Sequence, residues 1–75
     1  MGRYFFDITM GNEDYRDSEG AEFDNHELAE EEAVAALLET VRDEGMIGSY
    51  AMTVRDEHGT IVLTATLKLD VSRPE

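Results

Sequence analysis

The stretch Ile61-Val62-Leu63-Thr64-Ala65-Thr66-Leu67-Lys68-Leu69 shows the clearest pattern in this 75-residue chain. Every second side chain from Ile61 to Leu69 is apolar, and threonine or lysine occupies three of the four positions between them. Side chains on a β-strand alternate between the two faces of the sheet, so a period of two predicts a strand with one buried face. The fold must therefore contain a sheet with an apolar face that another element covers.

A partner for this strand lies directly upstream. Asp56-Glu57-His58-Gly59 has the composition of a hairpin turn, with Gly59 free to adopt a positive φ. Before the turn, Tyr50 to Val54 alternates in the same way, and we expect Met46 to Ser49 to form a loop. The C-terminal third of the chain is thus predicted to be an antiparallel hairpin.

Asp24 to Glu44 is predicted to form the one long helix. Asp24 is a candidate N-cap, with Glu27 at the spacing of a capping box, and Gly45 is the expected left-handed terminator. One apolar stripe follows the helical period and is expected to face the sheet: Ala33, Val34, Leu37, Leu38 and Val41.

The N-terminal part supplies two further predicted strands. Arg3 to Met10 alternates with a period of two, except that Phe5 places an aromatic ring on the outer face, where we expect a loop or a neighbouring subunit to cover it. A polar stretch follows from Gly11 to Gly20, and Ala21 to Phe23 is predicted to be a short edge strand.

These elements predict an α+β fold in which a small antiparallel sheet carries one long helix on one face, in the order β-β-α-β-β with a short second strand. We expect a single domain over residues 1–71 and a frayed tail over 72–75. A single helix covers only one face of a sheet, so the other face is a candidate self-association surface. Its predicted residues are Phe5, Val62, Thr64 and Thr66.

Length and cysteine content bear on stability and location. A chain of 75 residues without cysteine builds a small core that no disulfide or thiolate metal site supports. Oligomerisation is the remaining means of stabilisation, so a homodimer is expected as one possibility. The sequence shows no signal peptide and no apolar stretch long enough to cross a membrane, and a cytoplasmic protein is predicted.

Acidic residues dominate the charge pattern, with a formal net charge of −12. Between Glu13 and Glu32 there are ten carboxylates and one cation, Arg16. Such a field repels nucleic acid and anionic membranes, and it attracts basic protein surfaces. The predicted partner-binding residues of this acidic stretch are Glu13, Asp14, Asp17, Glu19, Glu22, Glu27, Glu30, Glu31 and Glu32.

Catalytic and metal-binding patterns are weak. His26 and Glu30 share one side of the predicted helix, but two side chains fall short of the three or four protein ligands of a zinc site. Asn12 to Gly20 does not match the calcium-loop frame, and Arg16 lies inside it. The sequence contains no nucleophile triad or phosphate loop. We therefore expect no enzyme and no cofactor, with weak divalent-cation binding as a minor alternative.

Several motifs together resemble a family of small bacterial proteins of unknown function. They are the opening Met1-x-Arg3-Tyr4-Phe5-Phe6, the element Asp17-Ser18-Glu19-Gly20-Ala21-Glu22, the Ala- and Glu-rich helix from Leu28 to Leu38, and the turn Asp56-Glu57-His58-Gly59. The resemblance implies a stand-alone cytoplasmic domain of this size and strand–helix order. It carries no activity that can be transferred.

Two hypotheses about function follow. The first is a non-catalytic protein-binding or adaptor domain that self-associates, without direct binding of nucleic acid or membrane. The alternative is an acidic mimic of nucleic acid that inhibits a nucleic-acid-binding protein, because carboxylates along one edge approach the charge density of DNA.

Overall fold

This computed structural model describes residues 2–45 and 47–74, which contain five antiparallel strands and one helix. The elements are β1 (Gly2–Met10), β2 (Glu13–Tyr15), β3 (Ala21–Phe23), α1 (His26–Glu44), β4 (Gly48–Asp56) and β5 (Ile61–Leu69). The sheet order is β2-β1-β4-β5, and β3 also pairs with β1. The predicted α+β class, with one helix packed on an antiparallel sheet, is confirmed.

The strand β2 is the element that the sequence did not predict. It forms a hairpin with β1, in which Met10 lies opposite Glu13 and Gly11 adopts a φ of 61°. Its three residues are all exposed, so no burial pattern marks the strand. The hairpin follows from backbone pairing with β1 and from the positive φ that glycine tolerates at the first loop position.

The core lies between α1 and the facing side of β1 and β4. Its buried members are Tyr4, Ala29, Ala33, Leu37, Tyr50, Met52 and Val54. Small alanine side chains on α1 let the helix lie close to β4, against which it packs most extensively. The leucines of β5 are only partly buried against this core. The domain therefore leaves much of its apolar surface at the β5 side incompletely covered.

The predicted apolar stripe of the helix was partly wrong. Ala33 and Leu37 are buried, but Val34 and Leu38 are 47% and 54% exposed. The buried arc is centred on Ala29, Ala33 and Leu37, which places Val34 about 100° away around the helix. Val34 and Leu38 thus form a second apolar stripe on an outer flank of α1.

The ends of α1 agree only in part with the prediction from the sequence. The N-cap is Asn25, whose side-chain oxygen accepts the Leu28 N–H at 3.0 Å, so the prediction of Asp24 as the cap is wrong. Both residue types cap well, and sequence spacing alone does not choose between neighbours. Gly45 ends the helix as predicted, with a φ of 62° and its N–H donated to the Val41 carbonyl at 2.9 Å.

The molecule is thin and elongated. Its radius of gyration is 13.7 Å and its principal extents are 53 × 21 × 18 Å, whereas a compact chain of this length has a radius of about 11 Å. Residues 70–74 contain no helix or strand. The predicted loop from Met46 to Ser49 is too long, because Gly48 and Ser49 already belong to β4. Met1, Met46 and Glu75, on which parts of the domain, loop and tail predictions fall, lie outside the described residues.

Candidate functional site

The two edges of the sheet differ in their protection against pairing with another chain. The edge formed by β2 and β3 consists of two three-residue strands separated by the loop 16–20. This loop places five residues opposite three residues of β1, Phe5 to Asp7. Short strands, a bulged outline and charged side chains are the features by which proteins block edge-to-edge association. We call this side the acidic edge.

Asp17 holds the loop 16–20 against β1. One carboxylate oxygen accepts the Phe6 N–H at 3.1 Å, and the other accepts the N–H groups of Glu19 at 3.0 Å and Gly20 at 3.1 Å. The side chain thus supplies the acceptor that a neighbouring strand would otherwise present to β1. Gly20 adopts a φ of 70°, and a Cβ there would lie 2.7 Å from the Tyr4 carbonyl oxygen.

Arg55 connects the same loop by hydrogen bonds to the sheet face opposite α1. Its guanidinium donates to the Asp7 carboxylate through Nε at 2.6 Å and Nη2 at 3.1 Å, and Nη2 also donates to the Asp17 carbonyl at 3.1 Å. Asp7 in turn accepts the Asp17 N–H at 2.9 Å. Two-point guanidinium–carboxylate pairing is strong and directional. The network therefore connects β1, β4 and the loop.

The ionisation of both aspartates reflects these bonds. The hydrogen bond from Arg55 lowers the pKa of Asp7, against the opposing effect of desolvation. Desolvation by itself would raise the pKa of Asp17, but the backbone donors of Gly20, Phe6 and Glu19 outweigh it and lower that pKa. Both groups thus favour the charged form, which their role as acceptors requires.

The sheet face opposite α1 is not uniformly open. Phe5 lies under the Arg55 guanidinium, 4.9 Å from the ring centroid, and beside Gly20, so the loop 16–20 covers this end of the face. Val62 is half-buried and packs against the core near the register shift between Val54 and Arg55. Of the predicted self-association residues, Thr64 and Thr66 are the two that lie exposed.

The β5 edge shows fewer of the protective features of the acidic edge, with one bulge at Val62 and regular pairing from Leu63 to Leu69. The strand runs unbroken from Ile61 to Leu69, and within residues 2–45 and 47–74 it pairs only with β4. Its single charged residue is Lys68. A long, regular and weakly charged edge presents unpaired N–H and C=O groups that another strand can satisfy.

Crossover geometry puts the exposed stripe of α1 on the same side of the domain as this edge. The chain passes from β3 through α1 to β4, two parallel strands, and such crossovers are right-handed. That hand places the flank with Val34 and Leu38 on the β5 side of the helix. Here the helix surface forms a shallow depression, whose other lining residues are Glu27, Glu30, Glu31 and Ala35. We define the β5 surface as the outer edge of β5 together with Val34 and Leu38.

The residues of the predicted acidic cluster are divided among several places. Glu13 and Asp14 lie on β2, Glu22 lies on β3 and Glu19 lies in the loop between them. Asp17 is held in the internal hydrogen bonds described above. On α1, Glu27, Glu30 and Glu31 border the β5 surface, whereas Glu32 lies about 100° from Glu31 around the helix. The structure therefore does not bring the nine carboxylates into one row.

The arrangement of the acidic and histidine side chains also bears on metal binding. Within residues 2–45 and 47–74, no three His, Asp or Glu side chains are arranged to hold a metal ion. His26, which the sequence pairs with Glu30, contacts the Tyr4 ring at a centroid distance of 5.4 Å. In the same described residues, no helix has the length and apolarity needed to cross a bilayer.

The fold and the two contrasting edges define a small α+β domain. A family model described as "Domain of unknown function (DUF6894)" matches residues 3–68, and the chain belongs to this family. The resemblance to a family of unknown function is thus confirmed. Comparison with curated proteins and with solved structures gave no match.

Sequence reasoning missed two parts of this arrangement. It did not identify Asp7 and Arg55 as partners, although each is a charged residue at an outward position of a predicted strand. It also did not identify β5 as an edge strand, because a strand's pattern does not reveal its neighbours.

Proposed function

We propose that this protein is a non-catalytic protein-binding domain that contacts its partner through the β5 surface. The observation that carries the proposal is the contrast between the two sheet edges. The acidic edge is short, interrupted by the loop 16–20 and charged, whereas β5 is nine residues long, is paired regularly from Leu63 to Leu69 and carries one charge. An edge that is left open in this way is available for pairing with another chain.

The chemistry of the β5 surface indicates how a partner binds. A strand added beside β5 would satisfy its outward N–H and C=O groups, which is the basis of β-augmentation. The adjoining Val34 and Leu38 would be buried at the same time and would add hydrophobic stabilisation. A cytoplasmic location belongs to the same proposal, and the absence of cysteine is compatible with it.

The acidic nucleic-acid mimic has less support. A mimic requires carboxylates in a row at the spacing of phosphates. Here Asp17 is used internally, and Glu31 and Glu32 project in different directions from α1. The distribution of charge therefore favours the protein-binding domain.

Site-specific photo-crosslinking in the native cell tests the proposed surface. A benzoylphenylalanine is introduced in place of Lys68, whose side chain is 69% exposed on β5, and in a matched variant in place of Glu22, which is 52% exposed on the acidic edge. We expect a discrete crosslinked product from position 68, identified by mass spectrometry, and none from position 22. Equal products from both positions, or none from position 68, would contradict the proposal.

A further inference from the structure

We infer that the partner at the β5 surface is a second copy of this chain, paired antiparallel along β5 about a two-fold axis near Ala65. This inference rests on the proposed function, because it names the occupant of the same surface. The two β5 strands would join two five-stranded sheets into one continuous sheet. Such an interface is isologous, meaning that each copy contributes the same residues.

The incomplete core argues for a permanent partner. Within the described residues, the largest side chain that is fully buried is Val54, and Leu63, Leu67 and Leu69 are only partly covered. A domain of this size without disulfide or metal is stabilised only marginally by its own core. A second copy is present whenever the chain is made, so it can complete the core constitutively.

The geometry of the helices fits this pairing. Neighbouring strands are ~4.8 Å apart, and α1 packs mainly on β4 and next on β5. Two helices placed between β4 and β5 of their own sheets would then have axes about 10 Å apart, the ordinary distance between packed helices. The exposed Val34 and Leu38 of both copies would fill the gap between the helices. Because the helices are antiparallel, Val34 of one copy would contact Leu38 of the other.

Charge placement is also compatible with a symmetric pair. The acidic start of α1, at Glu27 and Glu30, would lie beside the end of the second helix, which carries Arg42 together with Asp43 and Glu44. Along β5, Lys68 would lie opposite Val62 of the second copy, so no like charges meet. The acidic edges would lie at the two far ends of the joined sheet. Arg42 thus offsets part of the negative charge at the helix ends, and the acidic edges stay apart.

A charge-swap experiment by sedimentation velocity tests the inference. T64K/T66K and T64E/T66E each place like charges around the proposed axis at two exposed positions. We expect the wild-type protein to sediment as a dimer at tens of micromolar, and each variant to raise the dissociation constant by about 30-fold. An equimolar mixture of the two variants should restore the dimer. N12K/S18K, with the same added charge at exposed positions on the acidic edge, should remain dimeric.

The outcomes separate this inference from the proposed function. A wild-type monomer at these concentrations, or a dimer that T64K/T66K and the helix variant V34E/L38E both leave intact, would overturn the inference. If position 68 then crosslinks to a different protein, the proposed function stands with another occupant. If position 68 gives no crosslinked product either, the proposed function and the inferred dimer are both wrong. V34E/L38E changes only exposed side chains, so it provides a test even if the strand variants fold poorly.

Discussion

The carboxylate of Asp17 accepts the main-chain N–H of Phe6 at 3.1 Å, and a side chain thereby occupies the position of a missing strand residue. The same carboxylate accepts two N–H groups of its own loop. The acidic edge is therefore an ordered part of the sheet, although β2 and β3 are short. This order distinguishes it from a flexible charged loop, and it explains how five residues fit opposite three.

Replacing Asp17 with Asn should destabilise the fold by about 1–3 kcal/mol. The three main-chain N–H groups bond to both carboxylate oxygens of Asp17, whereas the amide of Asn has only one acceptor oxygen. Urea denaturation of both proteins measures the change. Glu19→Gln is the matched control, since it removes the same charge from an exposed side chain of the same loop and should change stability by less than about 0.5 kcal/mol. Equal effects of the two substitutions would contradict the role assigned to Asp17.

Gly20→Ala should cost more than Gly11→Ala. Both glycines have a positive φ near 60–70°, so both substitutions carry a conformational cost of about 1–2 kcal/mol. Only at Gly20 would the new Cβ meet backbone, at 2.7 Å from the Tyr4 carbonyl oxygen, whereas nothing lies within 4 Å at Gly11. Thermal unfolding of the two variants measures the difference. A smaller loss of stability for Gly20→Ala than for Gly11→Ala would show that the loop is not in close contact with β1.

The stabilisation by Asp7 should depend on pH. The folded pKa of Asp7 is lowered, chiefly by the hydrogen bond from Arg55. Its contribution is therefore fully present above the unfolded value of about 3.9 and is lost as the pH falls through the folded value. The difference in melting temperature between wild type and Asp7→Asn should be constant from neutral pH to about pH 5 and shrink below about pH 4. A difference that persists in strong acid would contradict this account.

Asn25→Ala should destabilise the protein by about 1 kcal/mol, because it removes the acceptor for the Leu28 N–H at the start of α1. Asp24→Ala, the neighbouring residue that the sequence favoured as the cap, should have a much smaller effect. Chemical denaturation of the two variants compares them directly. The reverse order would mean that the helix starts one residue earlier in solution.

Much of the architecture was predictable because burial imposes a period on the sequence. The alternation of apolar residues in β1, β4 and β5 and the end of the helix at Gly45 each depend on a short stretch of sequence. All four features were predicted correctly. The strand β2 was not predictable in this way, because its residues are exposed and its position depends on pairing with β1.

The candidate site was less predictable than the fold. Val34 and Leu38 belong to an apolar stripe by sequence, but which half of a broad stripe faces the sheet depends on how close the helix approaches. The alanines at 29 and 33 determine this approach, since small side chains let α1 lie near β4. Similarly, the pairing of Asp7 with Arg55 depends on strand order and register, which a single sequence does not contain.

Amide hydrogen exchange along β5, followed residue by residue at several protein concentrations, tests the central claim most directly. In an isolated chain, every second amide in the regularly paired part of β5, from Leu63 to Leu69, points outward to solvent and should exchange rapidly, while the alternate amides bonded to β4 are protected. The account predicts that the outward amides become protected as concentration rises and lose this protection on dilution or in T64K/T66K. Rapid exchange of the outward amides at every concentration and in the presence of cell extract would contradict the use of β5 as a binding edge.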